Sequence, residues 1–119
     1  INVLPLLRSF SDTLETLRFE SCNEEFTWKG IEEFYKLESI YFNSIWNGID
    51  CRCFLELPKL KDVVIMNSRD IINIESILKL SHLEALCLVD NKDEKKKNAV
   101  NKENRSKLEA MKIPHMFIG

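Results

Sequence analysis

An α/β fold of stacked coils, each built from one parallel β-strand and one short helix or 3₁₀ turn, is predicted by two observations. The first is an apolar spelling that recurs at a fixed interval. Leu14-x-x-Leu17-x-Phe19, Leu37-x-x-Ile40-x-Phe42, Leu60-x-x-Val63-x-Ile65 and Leu83-x-x-Leu86-x-Leu88 begin at 14, 37, 60 and 83, a step of 23 residues each time. A period in the twenties with this spelling marks a solenoid, in which each unit buries its apolar face only against its neighbours. The second is a change of periodicity inside every unit. Apolar residues two apart give way to apolar residues three apart, which suits a strand followed by a helix or 3₁₀ turn.

The register extends beyond the strand. Counted from each lead Leu, position +12 holds Phe26, Ile49 and Ile72, and position +14 holds Trp28, Cys51 and Ile74. Position +17 holds Ile31, Phe54 and Ile77, and position +20 holds Phe34, Leu57 and Leu80. We expect all of these to be core. Ahead of the first unit, Leu4, Leu7 and Phe10 mimic the helix-side triplet Trp28, Ile31 and Phe34. The chain therefore opens inside the convex half of an earlier unit, and its first residue is Ile. A fragment, or a chain processed at its N-terminus, is expected.

After Leu83 the pattern breaks, because +12 and +14 are Lys95 and Lys97. A polar stretch runs from Asn91 to about Lys107, followed by Leu108, Met111, Ile113, Met116 and Ile118. Terminal repeats must cover an otherwise bare core. We expect a short helix over 102–111 and a last strand or extended cap over 113–118. The alternative takes Leu108-x-x-Met111-x-Ile113 as a fifth, shifted repeat, with Pro114 just after its strand, where proline is tolerated. The expected organisation is one domain over 1–119: a partial repeat at 1–13, four strand-bearing units over 14–91, and a polar insertion with a cap over 92–119.

These residues resemble the leucine-rich repeat family over roughly 4–91, most closely its irregular bacterial members. The resemblance implies a parallel β-sheet on a concave face, with short helices or 3₁₀ turns on the convex face. It also implies an inward Asn or Cys at +8 that hydrogen-bonds neighbouring backbone in a ladder. Here +8 is Cys22, Ile45, Ser68 and Asn91. Ile45 has no polar side chain and Ser68 has a short one, so the ladder is broken in the middle and backbone groups there need other partners or water. By the resemblance, roles such as immunity, adaptor or effector recognition are open.

Composition narrows the function further. The chain has 119 residues, 45% hydrophobic and 30% charged, with a net charge of −2. That balance argues against disorder and against general attraction to nucleic acid, so no nucleic-acid partner is expected. No apolar run approaches the ~20 residues of a membrane span. The visible N-terminus shows no secretory signature.

Catalytic and metal chemistry find no support in the spacing. Three glycines, none clustered, supply neither a phosphate loop nor a dinucleotide fingerprint. His82 and His115 stand apart with no nucleophile context, and Glu24-Glu25 and Glu32-Glu33 read as solvated turn and convex residues. Cys51-x-Cys53 lacks a second Cys/His pair at finger spacing, so no metal or cofactor is expected. By register Cys22 and Cys51 face inward as small buried hydrophobes, while Cys53 and Cys87 face outward. Reduced thiols of this kind suit a reducing compartment and a cytoplasmic location.

The informative surface is therefore the concave sheet. Side chains alternate along a strand, so the residues flanking the inward pair form three outward columns. They are Thr16, Ser39, Asp62 and Ala85; Arg18, Tyr41, Val64 and Cys87; and Glu20, Asn43, Met66 and Val89. The first two strands give a polar set around Tyr41, and the last two a contiguous apolar cluster. Arg18, Glu20, Tyr41, Asn43, Asp62, Val64, Met66, Cys87 and Val89 are the candidate partner-binding residues, since Arg and Tyr often anchor interfaces and contiguous exposed apolar residues mark contact sites.

The sequence thus predicts a protein–protein interaction module, not an enzyme. The alternatives are a structural or self-assembling repeat segment that forms a homo-oligomer, and a targeting repeat for an enzymatic domain absent from this chain. Trp28 reads as convex core filler, and Trp46 as packing over the turn that Gly48 allows. The lysine-rich stretch from Lys92 to Lys107 reads as a solvated loop, having no interleaved aromatic residues for base stacking.

Overall fold

In the computed structural model, which describes residues 4–22, 27, 29–46, 48–68, 71–90 and 100–119, the chain forms a mixed α/β fold around one parallel sheet. Its strands are β1 (Thr16–Cys22), β2 (Ser39–Ile45), β3 (Ile49–Asp50), β4 (Asp62–Ser68), β5 (Ile71–Ile72), β6 (Ala85–Asp90) and β7 (His115–Ile118). Strands β1, β2, β4, β6 and β7 lie side by side in that order, all parallel, and β3 pairs with β5 in a small second sheet. Parallel neighbours need crossover connections. Here the 3₁₀ helices Ile31–Glu33, Cys51–Glu56 and Ile74–Lys79, and the helix α1 (Lys102–Ala110), supply them.

The strands form where β-branched and aromatic residues alternate with polar ones. Pairing is in register with the repeat: Leu17 faces Ile40, Ile40 faces Val63, and Val63 faces Leu86. These residues and Phe42, Ile65 and Leu88 are buried, together with the lead residues Leu37, Leu60 and Leu83. Phe19 stacks on Phe42 with ring centroids 5.7 Å apart, and Phe42 meets Phe54 of the Cys51–Glu56 helix at 6.2 Å. Aromatic contacts thus tie strand to strand and sheet to helix.

Strands β1, β2 and β4 stop by the same device. Ser21, Ser44 and Asn67 occupy one repeat position and all adopt positive φ, at 55°, 58° and 49°. A left-handed residue costs roughly 1–2 kcal/mol unless it is Gly or a short polar residue such as Asn. Its use three times over turns the chain sharply and sends the next side chain inward: Ile45 and Ser68 are both buried. The broken ladder is mended there. The Ile45 N–H donates to Ser68 Oγ at 3.2 Å, and that hydroxyl donates to the Met66 carbonyl at 2.9 Å. The Asn67 side-chain amide donates to Ser44 Oγ at 3.1 Å, linking the two turns.

Four expectations need correction. Ile72 is 51% exposed, and Ile71 is buried in its place, because Ile49 pairs with Ile71 and Asp50 with Ile72. A one-residue slip moves a side chain to the opposite face. Asn73, left-handed at φ 56°, absorbs the difference, so that Ile74 is buried as Cys51 is. Cys53 is buried and does not face outward. It lies in a 3₁₀ helix with three residues per turn, so two steps from Cys51 rotate it by ~240° rather than the 180° of a strand, and a strand's alternation does not apply there. Phe10 is 54% exposed, unlike buried Phe34, although Leu4 is buried as expected.

The fourth concerns the C-terminal region. Leu108 is buried within α1 and Met111 caps that helix, which rules out a strand starting at Leu108. The repeat spelling falls instead on Ile113-x-x-Met116-x-Ile118, where Met116 pairs with Leu86 and Ile118 with Leu88. Helix α1 and strand β7 agree with the expected helix and last strand. Asn101 caps α1 by accepting from the Asn104 N–H at 2.7 Å. Phe26, Trp28 and Asn91 lie outside the described residues, as does the side chain of Cys22; Trp46 is half-buried.

Candidate functional site

The outward face of the sheet carries the candidate residues in ordered rows. Arg18 pairs with Tyr41, Tyr41 with Val64, and Val64 with Cys87. Glu20 pairs with Asn43, Asn43 with Met66, and Met66 with Val89, while Asp62 lies between Ser39 and Ala85. Arg18 and Glu20 are exposed; Tyr41, Asn43, Asp62, Val64, Met66, Cys87 and Val89 are half-buried by one another. The period of two places all nine on one surface.

The polar end is internally organised. Arg18 donates to Glu20 Oε1 through Nε at 2.9 Å and Nη2 at 2.6 Å, and its guanidinium lies 4.3 Å from the centre of the Tyr41 ring. The Glu20 hydrogen bonds hold the guanidinium pKa above its ordinary value. The Tyr41 hydroxyl reaches Met66 Sδ at 3.8 Å, so the aromatic ring bridges the polar and apolar halves. Ser39 Oγ donates to Asp62 Oδ2 at 2.8 Å.

The apolar end is larger than the sequence reading allowed. Phe117 pairs with Cys87 and His115 with Ala85, so β7 adds a fifth member to two of the columns. Phe117 is 61% exposed. Val64, Ala85, Cys87, Pro114, His115 and Phe117 line a shallow hollow of about 460 Å³. The signal that could have found Phe117 was present in Ile113-x-x-Met116-x-Ile118, but its interval is 30 residues (from 83 to 113) and not 23. Partial burial pushes the Cys87 thiol pKa upward, so the hollow favours the neutral thiol.

The helix side of the fold has different chemistry. Burial pushes the Cys51 thiol up to about 12, with the Asp50 and Glu75 charges adding to the effect, and burial raises Cys53 as well. These are packing thiols, not thiolate nucleophiles. Asp50 is held at about 2, first by hydrogen bonds from the Arg52 side chain and then by the Asn73 amide and the Arg52 N–H, against the opposing pull of burial. Its role is visible: it caps the 3₁₀ helix Cys51–Glu56 and accepts from Asn73 Nδ2 at 2.9 Å, tying that helix to the residue that precedes the Ile74–Lys79 helix.

Among the described residues no group of three or more His, Cys, Asp or Glu is placed to hold a metal ion, and no helix is long and apolar enough to cross a membrane. Comparison with protein-family models, with curated proteins and with solved structures finds no match to this chain. The outward face of the sheet carries a row of exposed and half-buried side chains running from a cation–aromatic pair to an apolar hollow.

Proposed function

We propose that this protein is a leucine-rich-repeat-type solenoid that binds another protein through the concave face of its parallel sheet. One observation carries the reading: Arg18, Tyr41, Val64, Cys87 and Phe117 form a single outward column, one residue per strand. Surface apolar residues are ordinary when scattered, but a contiguous set beside an Arg–Tyr pair is the composition of a contact patch. The 23-residue spelling and the repeated left-handed turn support the solenoid. The free thiols of Cys51, Cys53 and Cys87 suit a reducing compartment, and we assign a cytoplasmic location on that ground. No catalytic role is proposed.

The runner-up is self-assembly through the sheet edge. It is favoured by Phe117, exposed on the edge strand β7. It is disfavoured by Arg105, whose guanidinium donates to the Ile118 carbonyl at 3.1 Å and occupies part of the backbone that an added strand needs. Light scattering separates the two, giving a monomer for the first reading and a defined oligomer for the second. Under the first reading, Val64→Asp and Met66→Asp each abolish partner capture while the far-ultraviolet circular dichroism is unchanged. Loss of the folded signal in both would mean that these residues are interior and would overturn the reading.

A further inference from the structure

We draw no further inference here: the strongest candidate, the apolar patch of Val64, Cys87 and Phe117 on the outward face of the sheet, belongs to the site already described, and nothing in the structure shows what covers it.

Discussion

The Ser68 hydroxyl accepts the Ile45 N–H at 3.2 Å and joins two successive strand ends through a single side chain. Both residues are buried, so no bulk water replaces the bond. Ser68→Ala leaves the Ile45 donor unsatisfied and is expected to cost ~1–3 kcal/mol in urea unfolding, without loss of the folded signal. A cost no larger than that of an exposed substitution such as Lys59→Ala would contradict this assignment.

Phe42 is the aromatic centre of the core, fully buried between Phe19 and Phe54. Phe42→Ala is expected to cost about 3–5 kcal/mol through lost burial and a residual cavity. Phe117→Ala, on the outward face, is expected to change stability by no more than about 0.5 kcal/mol. The pair measured side by side in denaturant separates core from surface. Comparable losses would place Phe117 inside.

Acid stability follows from Asp50. Its carboxyl sits at about 2 in the folded chain against an ordinary 3.8, so the folded state holds this proton less tightly than the unfolded state. The stabilisation is present above about pH 4 and is lost as pH falls toward 2. Arg52 is well exposed, so solvent screens the ion pair and keeps its contribution small. Asp50→Asn retains a good helix-capping residue while removing the charge. The stability difference between wild type and Asp50→Asn is expected to shrink over pH 4 to 2; a difference constant with pH would contradict it.

Thiol reactivity should rank by burial. Cys51 and Cys53 are buried with raised pKa values, whereas Cys87 is half-buried on the open face. Peptide mapping after iodoacetamide treatment of the native protein at pH 8 is expected to show Cys87 labelled well before Cys51 and Cys53. Because Cys51 rises from 9.0 to about 12 on folding, its contribution to stability is present below pH 9 and is lost as pH rises through 12. Cys51→Val is expected to lessen alkaline destabilisation in that window.

Much of the sheet was legible because a strand's side-chain period of two leaves no freedom once the inward residues are known. Leu17, Ile40, Val63 and Leu86 fixed the direction of Arg18, Tyr41, Val64 and Cys87, and the register agrees. The helix side was less legible. Cys53 was misassigned because a 3₁₀ turn was read with a strand's alternation. Ile72 was misassigned because the left-handed Asn73, which shifts the register by one, resembles any other polar loop residue in sequence. Phe117 was missed as a member of the face because a longer connection displaced its repeat from the 23-residue step. The mending of the ladder by Ser68 depends on a bulge between Met66 and Ser68 that no spacing rule announces.

The central claim concerns which side chains of the parallel strands meet water. Relaxation of methyl resonances by a soluble paramagnetic probe measures this directly. The account predicts strong broadening of Val64 and Val89 methyls and little for Val63, Ile65, Leu86 and Leu88. Protection of Val64 together with broadening of Val63 and Leu86 would contradict it.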